Sequence, residues 1–600
     1  MTHAAPELLR RAPSSDDVAR AIRDLLLVLL AGLFVYCWRL GDSPLDRTEP
    51  HRALVAHQMA SGGEWLIPHL FGEVYLRKPP LIYWVQAATE KLVGHGNEFV
   101  WRLPSAVGSA LLAVALAWWA GRWFGSFARL PAGFACLALI AVWEQDRGAD
   151  IDALNTVASV LAAMVILEIL FGREPAAPIA PAESRTIPVR SSFSFAWTFA
   201  LAITTWATLM LKGPGGFPPI LGAILGPAIV LRTWRRLRQP SLWLGLLLGI
   251  AGFVTYGVLV KLQIHRRGLV TDKAGLKEAM QRMLLHDVHQ IVPALSAPFI
   301  ALLFAIPVSL AIPFALGLVW PEPKDNPRRQ RVLAIVGAIA AALVIWVIAG
   351  NGNPRYEYVA LPLLAPLVGA VAVGWREGQF SPATVERLRG IMISIGGLWV
   401  GVQLAMTRAI WLRATDRASL TIAAGLSLIL AAAAAFLWAR SRYRLAAPLL
   451  AVVILLLTVP LSDRKNIERR RKSAQSTAQQ LRSIVGDGTT VGVGSMVRDM
   501  PELFYYAGVQ VHAYGEFGLP ALAADAGARW VVLSENKRFP ELSTLQQQVI
   551  DAFPRGVTKL NMPDPADHVY VAWYDPPAGA SRAVHYTSNP AADTSAGSDE

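Results

Sequence analysis

Recurring runs of about twenty apolar residues constrain this chain more than any other feature of it. A helix needs roughly that length to cross the ~30 Å hydrocarbon core of a bilayer, and backbone placed there must hydrogen-bond to itself. Candidate spans centre on residues 24–40, 105–122, 128–144, 153–171, 194–211, 216–232, 242–261, 295–318, 332–350, 357–375, 390–406, 418–439 and 445–462, about thirteen by that rule. Composition agrees: 54% of residues are hydrophobic and 16% charged, where soluble domains average about 25% charged. The 20 Trp suit a membrane interface. The fold class read from these runs is an α-helical polytopic membrane protein with a small C-terminal α/β soluble domain.

Net charge is +13, but the basic residues are scattered between apolar runs. That pattern fits helix orientation and anionic lipid, and gives no basic domain or recognition motif for nucleic acid. Cys37 and Cys136, the two cysteines, both lie in apolar runs, which argues against a structural disulfide or a cysteine zinc site. The first apolar run follows a charged head without a small-residue cleavage site, and reads as a retained signal anchor.

Lysine and arginine bias in short loops orients the helices. Arg10, Arg11, Arg20 and Arg23 precede the first span, and further clusters at Arg232–Arg238, Arg328–Arg331 and Arg440–Arg444 fall on the same, cytoplasmic side by strict alternation. Loops 41–104, 145–152, 212–215, 262–294 and 351–356 then lie on the opposite face, and they hold nearly all the unusual polar residues. The basic run Arg464, Lys465, Arg469, Arg470, Arg471 and Lys472 lands outside by this count, and is read as lying on anionic headgroups of the outer leaflet. The domain reading is a cytoplasmic N-terminus over 1–23, a membrane domain over 24–462, an outer α/β domain over 463–576 and a disordered tail over 577–600. Strand-like runs near 489–493, 509–513, 530–533 and 569–573 alternate with helical ones in the outer domain.

Chemistry-bearing residues concentrate in the outer loops. Glu49, with Arg52 one turn on, suits a general base toward an acceptor hydroxyl or a metal ligand; it equally suits a helix N-terminal acid favoured by the macrodipole. Arg77 and Lys78 stand before Pro79-Pro80, whose fixed backbone starts a helix. Basic residues beside unpaired amides bind phosphate, although the same residues could snorkel toward lipid. Asp146, Arg147, Asp150 and Asp152 cluster at a span mouth, where an acid is costly unless paired or functional. Asp152 pairs with Arg147, or serves a cation or a substrate group. Lys212 sits in a tight Gly/Pro turn, and Arg282, with Lys277 and Glu278, is spaced as on a helix and suits a phosphate clamp. His286-Asp287-Val288-His289 has poor spacing for a metal. Arg355, Tyr356 and Tyr358 precede a Pro-containing span.

Taken together and in order, Glu49…Ala53…Ala56…Met59, Gly62-Gly63-Glu64-Trp65-Leu66-Ile67-Pro68, Lys78-Pro79-Pro80-Leu81-Ile82-Tyr83-Trp84, Trp101-Arg102-Leu103-Pro104-Ser105, the Asp152 entry, Leu211-Lys212-Gly213-Pro214 and Arg355-Tyr356 resemble glycosyltransferase family 39, membrane enzymes of the GT-C architecture. The resemblance covers roughly residues 20–375. It implies a multi-pass protein of the bacterial inner membrane, with its active site and C-terminal domain periplasmic. It implies inverting transfer of a sugar from a polyprenyl-phosphate donor to a lipid, glycan or protein acceptor. The site it implies has Lys78, Arg77, Arg282 and Arg355 on the donor phosphate and Glu49 and Asp152 as catalytic acids. Arg52, Asp150, Lys212, Tyr356 and Tyr358 would line the substrate, and Glu49 and Asp152 are also where a divalent Mg, Mn or Zn ion would bind. Thr48-Glu49 stand where the family has Asp-Glu, and Arg52 replaces a family Tyr; Asp46 is carried as a stand-in acid. Other classes remain: a transporter or flippase for lipid-linked sugars should show paired repeats and midplane charges, and a non-catalytic binder would use the outer domain as a partner module.

Overall fold

The computed structural model describes residues 15–71, 73–172, 194–269, 291–349, 352–412, 416–440, 452–453, 455–486, 488–493, 500–513, 530–535, 557–563 and 568–573. Among these, seven helices are long and apolar enough to cross a membrane, or up to nine if each of two bent pairs counts as one span. In chain order the first ten helices are α1 (Ser15–Cys37), α2 (Glu49–Gly62), α3 (Leu81–Val93), α4 (Glu98–Phe124), α5 (Arg129–Leu137), α6 (Ile140–Asp146), α7 (Ile151–Phe171), α8 (Phe195–Lys212), α9 (Pro218–Val230) and α10 (Pro240–Arg267). Later helices include Ile291–Phe304, Ala311–Val319, Pro327–Ile348, Ala365–Arg376, Pro382–Ile410, Arg417–Ala439, Thr458–Lys472 and Gln475–Val485. The protein is thus a multi-span helical membrane protein.

Two apolar runs expected as single spans are broken. Ser126–Leu137 and Ile140–Asp146 meet at 68°, and Val292–Phe304 and Val308–Val319 at 97°. Pro307 stands at the second break, where it removes an N–H and clashes with a continuing helix. Nothing in the residues at the first break explains it. The run expected at 216–232 is the short helix α9, and most of the run expected at 445–462 lies outside the described residues.

The chain divides into two compact units: Met1–Ser43, Val55–Pro68 and Val74–Glu468 form the first, and Pro44–Leu54, His69–Glu73 and Arg469–Glu600 the second. One continuous apolar core runs through the first unit, with Trp119, Ile166 and Leu364 all at 0% exposure. Small residues let its helices approach closely. A Cβ on Gly226 of α9 would stand 2.1 Å from the Gly337 carbonyl of Pro327–Ile348, so that crossing tolerates no side chain there. Two buried charged groups in this core are closely matched. Glu168 of α7 accepts from the indoles of Trp119 (3.2 Å) and Trp123 (2.6 Å) and from Arg122 (2.7 Å). Arg102, at 1% exposure, donates to the carbonyls of Leu40 (3.0 Å) and Ser43 (2.8 Å) and so fixes the chain leaving α1.

The second unit contains a five-stranded mixed sheet. Its strands, β3 (Thr490–Val493), β4 (Gln510–Ala513), β5 (Trp530–Glu535), β6 (Val557–Leu560) and β7 (His568–Trp573), follow a two-stranded ribbon of β1 (His69–Leu70) and β2 (Glu73–Val74) near the start of the chain. The sheet order is β4-β3-β5-β7-β6. β3 runs parallel to β4 and β5, while β7 is antiparallel to β5 and β6. Helix Pro501–Ala507 lies in sequence between the parallel strands β3 and β4, as a parallel connection requires. Strands occupy all four runs marked as strand-like in the sequence.

Candidate functional site

In the first unit, three separate stretches of chain bring acids and bases together. Asp150 is the N-cap of α7, accepting from the Ile151 amide at 2.7 Å, and Asp152 lies in that helix's first turn. Carboxylates there are favoured by the helix macrodipole. Lys212 ends α8, just before a 3₁₀ turn over Gly213–Gly216. Gly213 has φ +63°, and a Cβ on Gly216 would stand 2.5 Å from both Asn155 Oδ1 and Thr208 Cγ2. The turn therefore presses directly on α7. Arg355 sits in the short helix Pro354–Glu357, whose N-cap Asn353 accepts from the Arg355 amide.

These residues form one ion-pair network. Lys212 Nζ is 2.6 Å from Asp152 Oδ1. Arg355 reaches both acids, with Nε 2.6 Å from Asp152 Oδ2 and Nη2 2.9 Å from Asp150 Oδ2. The Lys212 ammonium also lies 4.5 Å from the centre of the Tyr356 ring, which packs on Trp346 at 5.3 Å. Gln145 donates to the Arg355 carbonyl at 3.4 Å. Two carboxylates thus meet two cations in a site where Asp152 is buried and the other three are half-buried.

The alternative pairing of Asp152 with Arg147 is not the one formed. Arg147 donates to the carbonyls of Val35 (3.1 Å) and Trp38 (2.6 Å) and stacks on Trp143. Asp146 turns to Tyr36 and Ser109. The sequence cluster therefore splits, with Asp146 and Arg147 finding partners on α1 and α4 or in the turn after α1 while Asp150 and Asp152 share Arg355.

In the second unit, the segment Pro44–Leu54 carries the other acids. α2 begins at Glu49, which is 3% exposed. Its Oε2 accepts from the Asp46 amide at 2.9 Å and from Arg469 Nη1 at 2.9 Å. The Asp46 carboxylate is 26% exposed, 4.0 Å from Nε of Arg469 and 4.0 Å from Nε of Arg47. Tyr506 Oη accepts from the Leu45 amide at 2.7 Å. Burial pushes the Glu502 carboxyl above its usual range, and the charges of Asp46 and Glu49 add to that push.

Two residues of the basic run expected to lie on lipid headgroups have acidic partners within the protein. Arg469 pairs with Glu49 in the second unit. Within the first unit, Lys465 lies 2.7 Å from Glu144. Arg464, Arg470, Arg471 and Lys472 are exposed. Charge counting could not foresee acids hundreds of positions away.

Of the other expected residues, Arg52 is buried at 4% exposure, Lys78 is half-buried and Arg77 exposed, and Tyr358 is half-buried. Pro80 is the N-cap of α3, so the Lys-Pro-Pro corner does open a helix. Arg282, Lys277, Glu278 and the His286–His289 stretch lie outside the described residues. The sequence reading passed over Arg469 and Tyr506 as partners of the Glu49 segment, and over the contact of His57 Nδ1 with Glu90 at 2.7 Å. No periodicity or spacing rule signals such pairs.

Among the described residues no group of three or more His, Cys, Asp or Glu side chains is placed to hold a metal ion. The two residues expected as ligands, Glu49 and Asp152, are each already matched by a cation.

A multi-span helical protein with an ion-pair network at one helix mouth and a mixed sheet in its second unit has the GT-C architecture expected above. The particular likeness is to ArnT from Cupriavidus metallidurans. Its crystal structure bound to undecaprenyl phosphate superposes with TM-score 0.65 at 18% identity, over 91% of this chain and 97% of that one. The apo form gives 0.63, also at 18% identity, over 92% and 98%. In sequence, the chain is 31% identical over 126 residues to the undecaprenyl phosphate-alpha-4-amino-4-deoxy-L-arabinose arabinosyl transferase of Aeromonas salmonicida, covering 21% of this chain and 23% of that protein. The transferase of the same name from Pseudomonas savastanoi pv. phaseolicola is 37% identical over 99 residues, covering 16% and 18%. The chain thus spans about a quarter or less of the length of the curated relatives it matches. No protein-family model matches it.

Proposed function

We propose that this chain is a membrane glycosyltransferase that moves a sugar from a polyprenyl-phosphate donor to a lipid, glycan or protein acceptor. The observation that carries the reading is the Asp150–Asp152–Lys212–Arg355 network, standing in the fold of a protein whose structure holds undecaprenyl phosphate. The curated relatives, named as arabinosyl transferases acting on an undecaprenyl-phosphate sugar, support the same reaction class.

In this reading the acceptor oxygen attacks the anomeric carbon while the bond from that carbon to the phosphate oxygen breaks. The electron pair leaves with the polyprenyl phosphate, the hydroxyl proton passes to a carboxylate, and the configuration inverts. The acids assigned to this work are Asp46, Glu49 and Asp152. Lys78, Arg77 and Arg282 bind the departing phosphate. Arg355 contributes charge to the phosphate side while holding both Asp150 and Asp152. Lys212, Tyr356, Tyr358 and Arg52 shape the substrate site. As written, the step needs no metal, and transfer that persists in EDTA tests that choice against a site where Mg, Mn or Zn bridges the acids.

The finer topology also belongs to this reading. It comprises thirteen spans over 24–462 with a cytoplasmic N-terminus over 1–23, and an α/β domain over 463–576 followed by a tail over 577–600. The loops and that domain face the periplasm of an inner membrane. Mass spectrometry of envelope lipids and glycans in a deletion strain should show a sugar lost from one of them. Purified protein in liposomes should restore it from a polyprenyl-phosphate donor. An unchanged envelope profile, with no transfer from any polyprenyl-phosphate sugar in vitro, would overturn the assignment.

A further inference from the structure

The two acids of the Pro44–Leu54 segment are not equivalent. Glu49 is 3% exposed, and one of its oxygens receives both the Arg469 guanidinium and the Asp46 amide. That oxygen is therefore already engaged by two donors inside the protein. Asp46, three residues earlier, keeps its side chain 26% exposed and lies 4.0 Å from the same guanidinium.

The groups holding this segment come from far along the chain. Arg469 follows Glu49 by 420 positions, and Tyr506, which receives the Leu45 amide, follows Leu45 by 461. Phe71, in the other early segment of this unit, packs edge-on against Phe504 at 5.6 Å. The segment Pro44–Leu54 clusters with Arg469–Glu600 rather than with the spans that flank it in sequence.

We propose that the C-terminal part of the chain is a positioning device for this early segment. Arg469 and Tyr506 fix its backbone, Glu49 is the buried strut through which Arg469 acts, and Asp46 is the acid so presented to the acceptor hydroxyl. Arg469 and Tyr506 are positioning residues, and so is Glu49, which narrows the acid role given to it above; Asp46 is the group expected to touch substrate. The assignment of Asp46 rests on the transfer reading above, whereas the positioning itself does not.

The test therefore has two readouts on the full-length protein in nanodiscs. In hydrogen–deuterium exchange, Tyr506→Phe should speed exchange at the Leu45 amide, and Arg469→Ala at the Asp46 amide. Each should change by about tenfold, the scale of one hydrogen bond. Arg469→Lys, which keeps the charge, should recover part of the protection. In the transfer assay, with the donor lipid identified from the deletion strain, Asp46→Asn should lower kcat by about a hundredfold, the scale of a lost general base, with KM little changed. Glu49→Gln should lower kcat by about tenfold only, since its amide oxygen still accepts from the Asp46 amide. If Arg469→Ala fails to fold, Tyr506→Phe and Arg469→Lys still report on the clamp. Unchanged exchange at both amides in folded variants overturns the positioning. Glu49→Gln as inactive as Asp46→Asn overturns the division of roles. Altered exchange in a protein that transfers nothing leaves the clamp standing and sinks the enzymatic reading instead.

Discussion

In the membrane unit, Asp150 and Asp152 face two cations; in the second unit, Asp46 and Glu49 face Arg469 together. The first pair is closely matched: Lys212 and Arg355 reach the acids at 2.6–2.9 Å. The second pair divides one guanidinium unequally, at 2.9 Å for Glu49 and 4.0 Å for Asp46. The difference follows from surroundings. An acid at the mouth of a span has little water to solvate it, and is retained only when its charge is compensated. A segment held to a sheet domain can bury one carboxylate as a strut and leave its neighbour partly in water. One arrangement holds its acids between two fixed cations; the other leaves one of its two acids partly in water.

That contrast is broken most sharply at Asp152, which is buried at 9% exposure. Asp152→Asn leaves the Lys212 and Arg355 charges with only Asp150 to balance them. Removing one partner of a buried pair costs roughly 3 kcal/mol or more. Thermal unfolding in detergent should register that loss, and transfer should fall by at least about a hundredfold. Asp152→Asn combined with Lys212→Met restores neutrality. The double variant should regain about half the stability, with no recovery of transfer. A double variant no more stable than the single one would show that the two residues are not coupled.

What the sequence disclosed follows the same division. The helices were legible because bilayer thickness imposes a length, and every long apolar helix observed overlaps a run read in advance. The four strand runs were legible by their β-branched and aromatic residues. Asp150, Asp152, Lys212 and Arg355 could also be singled out in the sequence, because charge at a span mouth requires a reason, and in the structure they pair with one another. The pairing itself was not legible. Lys212 lies 60 positions from Asp152, and Arg355 lies 205 from Asp150, and no local pattern encodes a contact across that separation. The Arg147 alternative for Asp152 looked reasonable because it was near in sequence; the backbone carbonyls of Val35 and Trp38 claim that guanidinium instead. The same distance hid the Arg469 contact. Within the basic run, nothing local marks Arg469 and Lys465 as the two that meet acids. The break at 138–139 was illegible for a different reason, since its residues carry neither Gly nor Pro.

A smaller effect tests whether the network depends on backbone placement as well as charge. Gly216 closes the turn that follows Lys212, and the added Cβ of Gly216→Ala would meet Asn155 and Thr208 at 2.5 Å. Overpacking of that kind costs about 1–3 kcal/mol. Because the strain is at the foot of α8, Lys212 should shift relative to Asp152. Transfer should drop more than the loss of stability alone accounts for, measured at a temperature where the variant is fully folded. A drop fully explained by unfolding would make the turn a packing feature only.

The smallest expected effect comes from an ion pair of the same chemical type in wetter surroundings. The Arg267 guanidinium holds the Glu64 carboxyl below its usual range, but the two side chains are 30% and 45% exposed. A carboxyl with a depressed pKa stabilises the folded state above its unfolded value, and that contribution is lost as pH falls through the folded one. Stability should therefore decline slightly as pH drops below the ordinary 4.5, and Glu64→Gln should remove that part of the decline. Solvent screening keeps such a pair under about 1 kcal/mol, and salt should weaken it further. If Glu64→Gln cost as much as Asp152→Asn under the same conditions, burial would not be what separates these ion pairs. The contrast between the acids of the two units would then need another cause.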